Sequence, residues 1–166
     1  MAGTIEVRDY LDADWHLVWP VIEEVVHTGD TFPYPTDLTE AEARPIWLEN
    51  GPGGRTTVAT DGTTLLGTAK MGRNRPGPGA HVATASYMVG QDHRARGVGR
   101  ALVVDSLEWA RSSGFLAIQF NAVVATNRGA VGLYESLGFT IVGTVPRAHR
   151  LRGGELVGLS IMHLDL

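Results

Sequence analysis

The stretch His93–Leu102, HRARGVGRAL, sets Arg94, Arg96 and Arg100 beside Gly97 and Gly99, and an apolar helical pattern starts at once behind it. Positive charge and glycine at the start of a helix suit an anion. The first backbone N–H groups of a helix lack intrahelical partners, and the macrodipole adds roughly half a positive charge at that end. Glycine lets phosphate oxygens approach the backbone, and arginine adds charge-assisted bonds. The whole chain carries a net charge of -4, so this basicity is local and fits a small phosphate-bearing ligand better than a polyanion. Two phosphate-binding patterns do not match. G-x-x-x-x-G-K-[ST] is absent, and the last glycine of G-x-G-x-x-G would stand where Leu102 is. A glycine turn with a solvated basic face is the alternative reading.

The elements that must hold these residues follow from periodicity and turn chemistry. TIEVRDY alternates as a strand. Asp12 or Asp14 caps a helix to about His27, with Leu17, Val18, Val21, Ile22 and Val25 inward. TGDTFPYPTD breaks the chain, and Thr39 with Glu42 forms a capping box for a second short helix, in which Pro45 predicts a break or kink. RTTVATDGTTLLGTAKMG reads as a hairpin about Asp61-Gly62, and HVATASYMVG as a strand feeding the basic turn. Val98 to Ser113 is helical, FLAIQFNAV a strand, and Asn127 to Leu137 a short helix closed by Gly138. FTIVGTV and ELVGLSIMHL are the last strands. The order β-α-α-β-β-β-α-β-α-β-β makes one α+β or α/β domain over residues 1–166.

Composition removes several function classes. A hydrophobic fraction of 43% and a charged fraction of 19% are ordinary for a globular chain. With no cysteine there is no disulfide, thiolate metal site or cysteine nucleophile. The six histidines show no metal-ligand spacing, so no metal is expected. The N-terminal stretch has no apolar run and reads as lacking a secretory leader. No segment approaches the roughly 20 apolar residues of a membrane span. The expectation is a cytoplasmic protein that binds neither nucleic acid nor membrane.

Two motifs then carry a resemblance. Arg94-Ala95-Arg96-Gly97-Val98-Gly99 has the form [QR]-x-x-G-x-[GA]. Asn127, Ala130, Leu133, Tyr134, Glu135, Leu137, Gly138 and Phe139 match N-x-x-A-x-x-L-Y-E-x-L-G-F at each fixed position. In this order, with a helix and a strand between them, they resemble the GNAT superfamily of N-acetyltransferases, with specific likeness over residues 80–145. The resemblance implies a twisted mixed sheet, splayed between its fourth and fifth strands, with helices on both faces and acetyl-CoA in the splay. The pyrophosphate would meet backbone amides from Arg96 through Gly97, Val98, Gly99 and Arg100 to Ala101. The pantetheine arm would run along Met88 and Val89. Asn127 would bond the arm, and Tyr134 would sit near the sulfur. The chemistry agrees. An amine attacks the thioester directly, and a tyrosine of ordinary pKa about 10 is protonated at neutral pH and can donate to the leaving thiolate. Core packing for Tyr134 and helix capping for Asn127 are compatible alternatives.

QFNAVVATN with GDTFPYP further resembles the azetidine-2-carboxylate acetyltransferases and, more loosely, the phosphinothricin acetyltransferases. That resemblance makes Asn121, Asp30, Phe32 and Tyr34 candidates for the acceptor pocket: Asp30 for an ammonium, the aromatics for an apolar body, and Asn121 as donor to a carboxylate. Asp30, Glu40, Glu42 and His81 are the candidate bases. The activity implied is transfer of acetyl to a small, amino-acid-like amine in a ternary complex. Acetylation of protein N-termini or lysines, and a non-catalytic acyl-CoA sensor, are the alternatives. Relatives often dimerise, so a homodimer stays open.

Overall fold

The computed structural model describes residues 4–166. The first three residues, part of the stretch read as one domain without a leader, lie outside the described residues. The elements are β1 (Glu6–Asp9), α1 (Trp15–Thr28), α2 (Glu40–Leu48), β2 (Arg55–Thr60), β3 (Leu65–Arg73), β4 (Val82–Val89), α3 (Val98–Ser112), β5 (Ala117–Val124), α4 (Arg128–Ser136), β6 (Thr140–Arg150) and β7 (Leu156–Asp165). This is the order read from periodicity. The strands form one seven-stranded sheet, β1-β2-β3-β4-β5-β7-β6, antiparallel except at β4–β5. There only Val82 with Ala117 and Ala83 with Ile118 pair before the strands part. The rest of β4, through Met88 and Val89, keeps a free edge on its β5 side.

Alternation along the strands supplies two cores. On one face Ala69, Met71, Ala83, Ala85, Ile118 and Phe120 pack under α3 through Val98, Leu102, Val103 and Leu107. On the other, Val58 and Met88 pack under α1 and α2 through Val18, Ile22, Val25 and Trp47. Gly67 allows the close approach of α3, because a Cβ there would lie 2.8 Å from Met88 O and 3.2 Å from Val98 Cγ1. The start of α3 is thereby held beside the free end of β4.

Three local readings change. The carboxylate of Asp14 does not cap α1. It accepts a bidentate pair of bonds from Arg8, at 2.7 and 2.8 Å, and one from Leu11 N at 2.8 Å, fixing a short 3₁₀ turn ahead of the helix. Helix α2 runs through Pro45 rather than ending there. Pro45 and Ala41 lie on its exposed side, where water can serve the carbonyl that proline leaves unbonded. Strand β6 continues past Val145 to Arg150, across an irregularity between Val145 and His149 that accommodates Pro146 and Arg147, the latter at φ 54. It is an edge strand, and Ile141, Val142 and Val145 on it are exposed.

Candidate active site

Where β4 and β5 part, a cleft of about 530 Å³ opens. One wall is Tyr87, Met88 and Val89 at the end of β4. Another is the basic turn and first turns of α3, including Arg94, Gly97, Gly99 and Arg100. Asn127, Gly129, Ala130, Leu133 and Tyr134 of the α4 segment form a third, and Val25, Thr31 and Phe32 close the α1 side.

The turn has the backbone geometry that an anion site would need. Ala95 (φ 58) and Gly97 (φ 88) both adopt left-handed backbone, Ala95 despite its Cβ. The first bond of the α3 ladder runs from Ala101 N to Gly97 O, so the N–H groups of Val98, Gly99 and Arg100 precede it and point out of the helix end. Arg100 Nη1 donates to Ser136 Oγ at 3.1 Å, joining α3 to α4 across the cleft. Arg96 does not line the cleft. Its guanidinium lies 3.2 Å from His93 Nδ1, and His93 does line it. The side chain of Val98 is buried in the core, so only its backbone is available. A Cβ on Gly99 would stand 3.5 Å from Leu133 and 3.9 Å from Val89, two residues of opposite cleft walls. Inside α4, a Cβ on Gly132 would meet open space and one on Gly129 only Asn127 Oδ1, at 4.0 Å, and Gly129 lines the cleft.

Two tyrosines line the cleft, and hydrogen bonding distinguishes them. Ser106 Oγ donates to Val103 O at 2.7 Å and lies 2.6 Å from the Tyr87 hydroxyl. The one serine proton is already in use, so Tyr87 is the donor of that pair. Tyr87 thus gives its proton to α3. The Tyr134 ring packs with Phe120 at 4.6 Å and with Phe139 at 5.8 Å, and no described residue hydrogen-bonds to its hydroxyl. Burial pushes its pKa well above the ordinary phenol value, so it keeps its proton. Asn127 lines the cleft, and its Oδ1 accepts from Ala130 N at 3.3 Å as the N-cap of α4, while its NH₂ group has no partner among the described residues.

The acceptor candidates are dispersed. Phe32 lines the cleft and stacks on Tyr34 at 5.5 Å, with Tyr34 behind it. Asp30 faces away, its Oδ1 accepting from Arg152 N at 2.9 Å. With the bond between His149 Nε2 and Gly29 O at 2.9 Å, it latches the β6–β7 hairpin to the loop after α1. Asn121 is exposed on β5 beyond the last β4 pair, on the sheet face opposite Phe120. Among the candidate bases, Glu40 accepts from Trp15 Nε1, Glu42 completes the capping box with Thr39, and His81 Nδ1 sits at Pro78 O. None of them lines the cleft, and among the described residues lining it there is no carboxylate. Tyr87 and Asn74, which contact Ser106 and Asn121, escaped the sequence reading. Each partner lies on another element, and no local pattern links them.

Comparison with known proteins agrees with this fold. A solved GCN5-related N-acetyltransferase from Kribbella flavida is 52% identical, superposes with a TM-score of 0.93 and is covered over 98% of both chains. N-acetyltransferase aca1 of Schizosaccharomyces pombe is 32% identical over 144 residues, 78% of this chain and 69% of that one. The L-methionine sulfoximine/L-methionine sulfone acetyltransferase of Pseudomonas aeruginosa is 32% identical over 136 residues, 80% of this chain and 76% of that one. The pattern of the acetyltransferase (GNAT) family matches residues 19–139, which takes in both motifs and every wall of the cleft. The chain belongs to the GNAT family of acetyltransferases.

Proposed function

We propose that the cleft holds acetyl-CoA and that the acetyl group passes directly to the amine of a small, amino-acid-like substrate lying on the Asn121 side of the sheet. The observation that carries this reading is the meeting of two unsatisfied backbone sets in one cleft. Along the free β4 edge the backbone groups of Tyr87 and Val89 face the gap, while those of Met88 between them face Thr68 of β3, and that edge can pair with an extended amide-bearing arm, as an added strand would. The helix end at Val98 to Arg100 can bind a pyrophosphate. A Cβ at Gly99 would fill part of the passage between them, so the cleft fits such a ligand in shape as well as charge.

Bound acetyl-CoA would supply an electrophilic thioester carbonyl and a thiolate leaving group. The chain's own part is to hold and polarise. Arg94 and Arg100 neutralise phosphate charge, and the Asn127 NH₂ group bonds the arm. Tyr134 donates a hydrogen bond where thiolate charge develops, a role left open to it because Tyr87 is already bonded to Ser106. Among the described residues no carboxylate lines the cleft, and its one imidazole, His93, stands at the basic turn beside Arg96, so the attacking amine loses its proton to water. Phe32, backed by Tyr34, walls the acceptor side, and Asn121 meets the substrate's polar end. Asp30 acts indirectly, by holding the loop that carries Phe32. The named activity of the Pseudomonas relative supports an amino-acid acceptor, and a need for acetyl-CoA fits a reaction in the cytoplasm.

The test is thiol release from acetyl-CoA against a panel holding L-methionine sulfone, other free amino acids, their carboxamides, simple amines and peptides. The expected result is preference for a free amino acid over its carboxamide. Turnover of peptide N-termini or lysines alone would replace this reading with protein acetylation. Binding of acetyl-CoA without turnover of any amine would replace it with a sensor.

A further inference from the structure

We infer that Asn74 is a positioning residue for the acceptor: with Gln119 it clamps the Asn121 amide in the orientation that meets the substrate. This rests on the reading of Asn121 as an acceptor-side residue. Asn121 is exposed on β5, three residues past Ile118, where β5 has left β4. A lone asparagine there would turn freely. Instead both ends of its amide are held, Oδ1 accepting from Gln119 Nε2 at 2.9 Å and Nδ2 donating to Asn74 Oδ1 at 2.7 Å. Gln119 stands two residues before it on the same strand face. Asn74 comes from 47 residues away, and its own backbone N–H donates to Val82 O at 2.8 Å, so it is anchored by the β3–β4 pairing.

The hydrogen-bond inventory gives the clamp a chemical meaning. An amide offers two N–H donors and two lone pairs. The clamp takes one of each and leaves one of each in a fixed plane. A donor beside an acceptor matches a group that is itself mixed, such as the adjoining carboxylate and amine of an α-amino acid, better than a simple alkylamine. Fixing the side chain in advance removes the cost of immobilising it on binding, worth about 2- to 10-fold in affinity. The effect belongs in KM, because the clamp does not touch the reacting bond.

The experiment compares wild type, Asn74→Ala, Asn74→Asp, Asn121→Ala and the double alanine variant. Acetyl-CoA is saturating and L-methionine sulfone is the amine, or the panel amine with the highest kcat/KM. Side-chain amide signals of ¹⁵N-labelled protein are recorded alongside. Asn74→Ala should raise KM about 2- to 10-fold with kcat, acetyl-CoA affinity and Tm unchanged. Asn74→Asp keeps an acceptor oxygen and should return KM to within about twofold of wild type. In the Asn121→Ala background, Asn74→Ala should add nothing. The Asn121 side-chain signal should move in Asn74→Ala and stay near its wild-type position in Asn74→Asp. If Asn121→Ala raises KM while Asn74→Ala changes neither KM nor the Asn121 signal, the clamp is overturned and the acceptor reading stands. Equal effects of Asn74→Ala with and without Asn121 also overturn it. If Asn121→Ala leaves KM unchanged, the acceptor reading fails and takes the clamp's function with it.

Discussion

At the scale of single residues, Tyr134 is distinguished by what Tyr87 does. Both side chains reach the cleft, but the Tyr87 proton goes to Ser106 and the Tyr134 hydroxyl has no partner among the described residues. Tyr134→Phe is therefore expected to lower kcat by about 10²–10³-fold, the range for losing one donor to developing charge, and to leave acetyl-CoA affinity in calorimetry unchanged. Tyr87→Phe should lower Tm instead, because it removes the hydrogen bond that the buried Ser106 oxygen of α3 accepts. The raised pKa of Tyr134 sets a pH signature. Burial disfavours the phenolate, so the proton stays on through the alkaline range. A kcat/KM profile should rise as the amine deprotonates and show no falling limb below about pH 10, the ordinary phenol value. A falling limb near neutrality would assign the proton to another group.

At the scale of elements, the start of α3 and the turn before α1 make separable predictions. A Cβ at Gly99 meets only ordinary contacts, 3.5 Å to Leu133 and 3.9 Å to Val89. Helix propensity favours valine over glycine by roughly a few tenths of a kcal/mol. Gly99→Val should thus keep or slightly raise Tm while weakening acetyl-CoA at least about tenfold, through occupation of the cleft and loss of close approach to the helix end. Calorimetry and melting on one sample decide it. The Arg8–Asp14 pair acts on stability alone. The Arg8 guanidinium, with help from Leu11 N–H, holds the Asp14 carboxyl below its usual range. Its contribution is complete above the unfolded carboxyl value of about 3.9 and is lost as pH falls through the lowered folded value. Asp14→Asn should destabilise at pH 7 by roughly 1–2 kcal/mol and should flatten the loss of stability on acidification. Denaturant melts at pH 7 and pH 3 measure both.

At the scale of the molecule, the cleft is a gap in an otherwise continuous sheet. Only two residue pairs join β4 to β5, so the two halves of the sheet are held together largely by α3 and by the side chains that span the cleft, such as the Arg100–Ser136 bond. A ligand that pairs with the β4 edge and caps α3 should tie those halves. At 100 times its Kd, acetyl-CoA should stabilise the protein by about 2.7 kcal/mol, read as a concentration-dependent rise in Tm. A Tm unmoved at that concentration would mean that the ligand also binds the unfolded chain or does not bind the cleft. The latch of Gly29 and Asp30 to the β6–β7 hairpin belongs to this scale too, since it fixes the loop carrying Phe32 from the far edge of the sheet.

Period, caps and turn residues are local, and for that reason the order of elements, the hairpin at Asp61-Gly62, the capping box at Thr39 and the basic turn ahead of α3 were legible from the chain alone. So was the pairing of the two motifs, because the helix and strand between them have readable lengths. What stayed hidden depends on which residues meet across elements. Local pattern offers Asp12 or Asp14 as the cap, but Arg8 on β1 captures the Asp14 carboxylate. The resemblance points Asp30 at an ammonium, but a backbone N–H 122 residues away donates to its Oδ1. Strand β6 outran its proline because an edge strand leaves a missing N–H without consequence for its neighbour. Asn74 carried no local signal at all. Residue types limit the bonds a side chain can form, and tertiary structure selects among them, because the energy of a hydrogen bond is decided by a partner within about 3 Å and not by distance along the chain.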